Sequence, residues 1–209
     1  MKQKIDLDSP LNIKNSFLFP LQSSLSKKEV IIGGLYLLVP IYGWILNMGH
    51  RIIMTHQMQH GESAWPAWKN KTALLKHGSL TFLGMVQYHT PAVICEFCGR
   101  YYNIPALNIL GIILWIMATI IVPGYMSHYC LKYDWREIFD PRKAVTRVFQ
   151  LGLPYFHAWF IALLALVLSF SGLILGGIGF LFTSVWFWQV AGFSFASAFS
   201  QKYKLKSKK

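Results

Sequence analysis

The chain has 209 residues, of which 54% are hydrophobic, 16% aromatic and only 13% charged. A typical soluble domain carries about 25% charged residues, so this composition excludes an ordinary soluble globule, and the apolar content excludes intrinsic disorder. The formal net charge of +12 would suit a nucleic-acid partner. The basic residues, however, flank the apolar segments and do not cluster with stacking aromatics, which favours anionic lipid headgroups and excludes nucleic acid.

Residues 1–29 form a polar N-terminal arm, and the first apolar run follows at Val30–Met48. This run of about 19 residues is just long enough to cross a hydrocarbon core of roughly 30 Å. Pro40 lies inside it and would kink or break the helix. We expect a crossing helix. The alternative is a segment that dips into the membrane and returns, which would leave every basic segment in the cytoplasm.

The next stretch, residues 49–77, is polar and rich in histidine, and it contains the turn Trp65-Pro66-Ala67-Trp68. A weaker apolar run follows at Ser79–Phe97, and a strongly apolar one at Ile104–Met126. Because only the short turn Gly99–Asn103 separates these two runs, we predict an antiparallel hairpin.

Residues 127–153 are polar again, but apolar side chains recur in them at helical spacing with basic residues between them. These apolar residues are Trp135, Ile138, Phe139, Val145, Val148 and Phe149. The pattern predicts a basic amphipathic helix on the membrane surface, bent at Pro141. The following run, Pro154–Ser200, carries no charge and is too long for one helix, so its glycines predict a second hairpin.

These elements together predict an all-α polytopic integral membrane protein with about five transmembrane helices: two hairpins and a Pro-interrupted first helix. Interfacial amphipathic helices lie between them. The predicted organisation is an N-terminal arm at 1–29, one helical membrane domain at 30–200 and a Lys-rich tail at 201–209. The tail lysines place the C-terminus in the cytoplasm by the positive-inside rule, and we expect a multi-pass protein of the cell membrane.

Three motifs of the chain resemble those of a known family. They are Gly34-Leu35-Tyr36-Leu37-Leu38-Val39-Pro40-Ile41, Gly49-His50-Arg51-Ile52-Ile53 and Trp65-Pro66-Ala67-Trp68. Over about residues 30–200 the chain resembles the prokaryotic membrane-protein family catalogued as domain-of-unknown-function family 4013. The resemblance implies a multi-pass helical fold and structural roles for Gly34, Pro40, Gly49, Pro66 and Trp68. The family has no assigned reaction, so the resemblance implies no mechanism. His50 stands where the family usually has Tyr, and Trp65 where it has Leu.

Cys95 and Cys98 form a CxxC, whose paired thiolates suit redox or metal chemistry. A structural zinc site needs four ligands and no second CxxC exists, so we favour two small residues that pack at a helix end. His56 and His60 are four residues apart and would share a helix face, which suits a metal ion. We favour a solvated interfacial face for this pair.

Glu96 is the acidic residue that we place near an apolar run, and carboxylates within membranes often mark ion or proton paths. An i, i+4 ion pair with Arg100 is a sufficient explanation. His89 and His157 lie deeper, and we expect them to hydrogen-bond between helices.

The sequence has no phosphate loop, nucleophile elbow, paired catalytic carboxylates or dinucleotide fingerprint. We therefore expect a non-enzymatic protein without a cofactor, a structural or accessory subunit of a membrane assembly. The alternative is a small transporter or channel component with a polar path near Glu96, His89 and His157. A third reading is a membrane enzyme that uses the histidines and a metal. The expected partners are the lipid bilayer and its anionic headgroups, with membrane-protein partners or self-association in addition.

Overall fold

The computed structural model describes residues 4–205, and within them every regular element is helical. This confirms the predicted all-α class. The helices are α1 (Ile13–Leu18), α2 (Ser24–Tyr36), α3 (Tyr42–Gln59), α4 (Lys71–Tyr101), α5 (Pro105–Lys132), α6 (Arg136–Phe139), α7 (Pro141–Leu151), α8 (Leu153–Ser169) and α9 (Ile178–Tyr203), with 3₁₀ turns at Phe19–Leu21 and Phe170–Ile174.

The chain divides into two compact units. The first unit comprises the described parts of Met1–Ser79 and Leu151–Lys209, and the second unit is Leu80–Gln150. Three helices in the described part of the chain are long and apolar enough to cross a membrane: Pro105–Lys132, Leu153–Ile174 with its 3₁₀ turn, and Ile178–Tyr203.

The first apolar run is a helical hairpin, so the expected continuous helix through Val30–Met48 is wrong. Helix α2 ends at Tyr36 and α3 begins at Tyr42. The reversal is sharp because Pro40 has no N–H to continue a helix and because the Tyr42 N–H donates to the Pro40 carbonyl at 2.6 Å. Ile41 lies at φ 64° and ψ −61°, the strained conformation at the centre of a γ-turn.

Within the first unit, α2 and α3 run antiparallel in contact. The Asn47 side chain donates to the Gly33 carbonyl at 3.1 Å. Part of the predicted N-terminal arm packs into the same unit: Phe19 is 1% exposed and stacks on Phe193 of α9 with ring centroids 4.5 Å apart. The hydrophobic core of the unit therefore includes residues from the arm.

Helices α8 and α9 are joined by a turn and pack against each other as a hairpin, as the glycines of this run predict. The Thr183 hydroxyl donates to the Ser169 carbonyl at 2.6 Å, and Tyr155 packs on Phe195 at 5.3 Å between centroids. At the turn, Gly172 faces the backbone of Gly179 so closely that a side chain at Gly172 would clash.

In the second unit, α4 and α5 form the predicted antiparallel hairpin. Gly111 on α5 faces Ala92 and Glu96 on α4, and Gly99 faces Asn108 near the turn. These glycines let the two helices approach closely, as small residues do at helix interfaces in membranes.

The predicted amphipathic segment contains two helices, α6 and α7, separated at Asp140–Pro141. The Asp140 carboxylate accepts hydrogen bonds from the backbone of Arg142 at 3.0 Å and Lys143 at 3.3 Å and so caps α7. The apolar residues lie on two faces: Ile138 and Val148 are buried, whereas Phe149 is 80% exposed.

Candidate functional site

A buried pair of titratable side chains in the first unit joins Glu29 on α2 to His50 on α3. Each residue is 2% exposed, and the His50 Nε2 lies 2.8 Å from the Glu29 Oε2. The antiparallel hairpin brings them together, since positions 29 and 50 face each other at equal distances from the turn.

The Trp65–Trp68 turn closes over this pair. The Ala67 N–H donates to Glu29 Oε2 at 3.1 Å, and the Trp68 indole donates to the Glu29 carbonyl at 3.1 Å. The His50 ring stacks on Trp68 at 4.2 Å and on Trp65 at 6.0 Å between centroids. The Trp65–Pro66 peptide bond is cis. We call Glu29, His50, Trp65, Ala67 and Trp68 the clasp.

Burial dominates the electrostatics of the clasp. It lowers the pKa of His50 below its usual value, although the hydrogen bond and the charge of Glu29 act in the opposite direction. The imidazole is therefore favoured in its neutral form, with Nε2–H donating to the carboxylate. Such a pair is held in place by aromatic rings and backbone, which suits the joining of segments better than proton exchange with solvent.

Trp65 also lines a small cavity under the N-terminal arm, together with Asp6, Phe19, Met58 and Glu62. The cavity measures about 30 Å³, which is room for one or two water molecules. The Trp65 indole N–H is buried and has no hydrogen-bond partner within the described residues.

The second unit holds an exposed and a half-buried ion pair. The predicted Glu96–Arg100 pair is confirmed at 3.3 Å, with the Arg100 side chain 80% exposed. Glu137 binds Arg147 at 3.0 Å and Lys143 at 3.8 Å. Burial raises the pKa of Glu137, but the hydrogen bonds and charge of Arg147, with the charge of Lys143, outweigh it and lower the pKa below its usual value.

His89 makes the expected hydrogen bond between helices. Its Nε2 lies 3.3 Å from the Thr119 hydroxyl on α5, and its Nδ1 lies 2.8 Å from the Met85 carbonyl. Glu96 is on the same helix, whereas His157 is exposed on α8 in the first unit. Two of the three residues predicted to line a polar path, His89 and Glu96, therefore lie on α4 in contact with α5.

The remaining predicted candidates are local pairs. The rings of His56 and His60 are 4.1 Å apart, and the His60 Nδ1 lies 2.8 Å from the His56 carbonyl. Cys95 and Cys98 are half-buried free thiols. Between residues 4 and 205, no group of three or more His, Cys, Asp or Glu side chains is arranged to hold a metal ion.

The residues singled out by the family resemblance all lie at turns or close contacts of the first unit. Gly34 faces the Phe182 ring, and Gly49 faces the Leu74 backbone, where a side chain would clash. Pro40 forms the α2–α3 turn, and Pro66 and Trp68 belong to the turn that closes the clasp.

Sequence reasoning missed Glu29. The sequence pattern places Glu29 in the polar arm and favours Glu96 as the acidic residue near an apolar run. Glu29, however, directly precedes Val30, where the first apolar run begins. An acidic residue at the edge of an apolar run, with a histidine on the next helix, is the signal that could have found it. The chain matches no protein-family model, no curated protein and no solved structure.

Proposed function

We propose that this chain is a non-catalytic multi-pass membrane protein that serves as a structural or accessory subunit of a membrane assembly. One observation carries the proposal: several of the acids and histidines that could do chemistry are engaged with other parts of the same chain. Glu29 joins α2, α3 and the Trp65–Trp68 turn, Glu137 joins α6 to α7, and His89 joins α4 to α5.

The exposed surface of the apolar helices supports a membrane location. On α5, Ile109, Ile112 and Ile116 are each more than half exposed. Contiguous apolar surface beyond a few hundred Å² marks membrane or protein contact. Lipid chains and neighbouring membrane proteins are the partners that such a surface suits.

The distribution of charge supports a cell-membrane topology with a cytoplasmic tail. Every basic residue except Arg100 lies in the N-terminal arm, in residues 49–77, in residues 127–153 or in the tail. We infer that these segments share the cytoplasmic side, where they meet anionic headgroups. The five apolar helices of the sequence prediction then correspond to the α2–α3 hairpin, α4, α5, α8 and α9. Membership of family 4013 stays a prediction.

Purification from native membranes tests the proposal. The full chain, tagged at its C-terminus, is purified in a mild detergent, its particle mass is measured, and its stoichiometric components are identified by mass spectrometry. We expect a particle larger than one chain, containing another membrane polypeptide or a second copy in fixed ratio, and dissociation in a harsh detergent. A single chain at native expression level in the mild detergent would contradict the proposal.

The transporter alternative has its own supporting observation. His89 and Glu96 are seven residues apart, so they share a face of α4, and both contact α5, at Thr119 and Gly111. Proton flux into proteoliposomes tests it. Flux that requires the protein and disappears in Glu96→Gln and His89→Gln, but persists in the exposed-site control Thr90→Ala, would favour transport over the subunit role.

A further inference from the structure

The turns of the two hairpins in the first unit lie at the same end of that unit. The first tip is residues 37–41 between α2 and α3, and the second tip is residues 170–177 between α8 and α9. Gly34, near the end of α2, faces Phe182, near the start of α9. Phe19, which precedes α2, stacks on Phe193, further along α9. The end of α2 and the start of α9 therefore lie side by side, each next to its tip.

Both tips are apolar and exposed. Neither carries a charged residue, and the nearest helical turns on either side carry none. In the first tip Ile41 is 69% exposed, and in the second Ile174 is 85% exposed. The other large exposed side chains here are Leu38, Val39, Tyr42, Trp44, Phe170, Leu173, Leu175 and Ile178. Water is a poor environment for such an end.

The backbone of the tips largely satisfies its own hydrogen bonds. In the first tip, the N–H groups of Leu37, Leu38 and Val39 donate to carbonyls of α2, and Pro40 has no N–H. In the second tip, the N–H groups of Leu175 and Gly177 donate to Gly172 and Leu173. In hydrocarbon an unsatisfied backbone group costs several kcal/mol, so these turns are suited to lipid.

The α4–α5 turn in the second unit provides the contrast. It carries Arg100, Tyr101, Tyr102 and Asn103, all exposed. Charged and tyrosine side chains at a hairpin turn are typical of a turn that reaches the headgroups and water on the far side of a bilayer. The tips of the first unit carry no charged side chain, although Tyr36 and Tyr42 flank the first tip and Tyr42 is 40% exposed.

Two aromatic side chains and a lysine meet beside the first tip. Tyr36 packs on Trp68 at 5.1 Å between ring centroids, and the Lys71 ammonium lies 5.8 Å from the Tyr36 ring centroid. Helix α2 has 13 residues, about 20 Å, which is too short to cross hydrocarbon of roughly 30 Å.

We propose that both tips of the first unit enter the hydrocarbon from the side that carries the basic segments and end there without emerging on the far side. The occupant of this surface is the lipid acyl chains. Helices α8 and α9 are long enough to cross, but their shared turn carries no charged side chain, and its one hydroxyl, that of Ser171, donates to the Leu168 carbonyl. The inference rests on the membrane location proposed above.

Single-cysteine labelling tests this directly. In full-length protein with Cys95, Cys98 and Cys130 replaced by alanine, we place one cysteine at a tip, as Leu38→Cys or Ile174→Cys. The matched controls are Tyr102→Cys at the α4–α5 turn and Thr72→Cys on the exposed N-terminal turn of α4. A membrane-impermeant maleimide is applied to intact cells and then to permeabilised cells. A nitroxide on the same cysteines reports collision with oxygen and with an aqueous nickel chelate.

We expect Tyr102→Cys to label in intact cells and Thr72→Cys to label only after permeabilisation. The two tip cysteines should label in neither state, and their nitroxides should collide more with oxygen than with nickel, the reverse of both controls. Tip labelling in intact cells would show a turn that emerges on the far side, and tip labelling only after permeabilisation would show a turn in cytoplasmic water. Either overturns the inference and leaves the subunit proposal standing, whereas removal of the protein from membranes by alkaline carbonate would overturn both.

Discussion

Glu29 is the side chain on which the contacts of the clasp converge. Its Oε2 accepts hydrogen bonds from His50 and from the Ala67 N–H, and its backbone carbonyl accepts one from Trp68. Glu29, His50 and Ala67 are buried, so solvent cannot replace the hydrogen bonds of His50 and the Ala67 N–H when the carboxylate is removed. One acidic residue therefore ties α2 to α3 and to the turn that follows α3.

Removing this carboxylate should destabilise the protein strongly. Glu29→Ala leaves the imidazole and the Ala67 N–H buried without a partner, and we expect a loss of about 3 kcal/mol of unfolding free energy. The control, Glu96→Ala, removes the exposed ion pair to Arg100 and should cost less than about 1 kcal/mol. Thermal unfolding in detergent measures both. Equal losses of stability in the two variants would show that the clasp stabilises the protein no more than an exposed ion pair does.

The lowered pKa of His50 predicts a pH dependence. The folded state holds the neutral imidazole, so the unfolded chain takes up a proton at higher pH than the folded one does. The stability that His50 contributes is complete above its unfolded pKa of 6.5 and is lost as the pH falls below that value toward the folded pKa.

Melting temperatures from about pH 8 to pH 5, the range in which histidine titrates, measure this. We expect wild type to lose stability toward pH 5 more steeply than His50→Gln. The exposed-site control His157→Gln should follow wild type. Parallel curves for wild type and His50→Gln would be inconsistent with a buried neutral His50.

The His56–His60 pair distinguishes a solvated face from a metal site. If water or headgroups satisfy the imidazoles, His56→Ala with His60→Ala should cost less than about 0.5 kcal/mol for each change. Bound metal per protein and thermal stability in detergent are measured for wild type and the double variant. Stoichiometric metal in wild type, lost together with several degrees of stability in the variant, would favour the metalloenzyme reading.

At the scale of elements, the hairpins were predictable and the first turn was not. The glycines of 171–177 and the short 99–103 turn indicate reversals, because there the apolar pattern itself is interrupted. Residues 37–41 continue the apolar pattern, so length and hydropathy favour one helix. The reversal depends on the backbone at Pro40 and Ile41, which hydropathy does not register.

The amphipathic segment shows a similar limit. Helical spacing predicts one apolar face, but Val148 packs inward and Phe149, the next residue, points outward. Spacing cannot assign faces when two adjacent residues are both apolar.

Helix α3 and the start of α4 cross at glycines. The backbone of Leu74 lies against Gly49, and the carbonyl of Ile45 lies against Gly78. We expect Gly49→Ala to destabilise the protein by about 1–3 kcal/mol or more, because backbone must move to make room. Thr72→Ala, an exposed change on α4, should stay within about 0.5 kcal/mol. Detergent thermal unfolding of both variants measures this, and an unchanged melting temperature in Gly49→Ala would refute the close crossing.

At the scale of the whole molecule, the all-α class and the Trp65–Trp68 turn were predictable from the sequence, whereas the clasp was not. The partners of Glu29 are 21 and 38 residues away, and no local pattern encodes a contact of that separation. The apolar segments, by contrast, depend on composition alone. In residues 4–205, three helices have the length and hydropathy to cross a membrane.

The proposed membrane location places the apolar helices within a bilayer and the basic segments at its surface. Surface attachment through the basic residues alone is ionic and is weakened by salt, whereas hydrocarbon-embedded helices resist both salt and alkali. The chain's uncharged run from Pro154 to Ser200 is the strongest single reason to expect embedding.

The most direct test is extraction of native membranes with high salt and then with alkaline carbonate, followed by detection of the chain in pellet and supernatant. We predict that it stays in the pellet through both treatments and is released only by detergent. Release by carbonate would contradict the account, because it would leave interfacial attachment as the only link to the membrane.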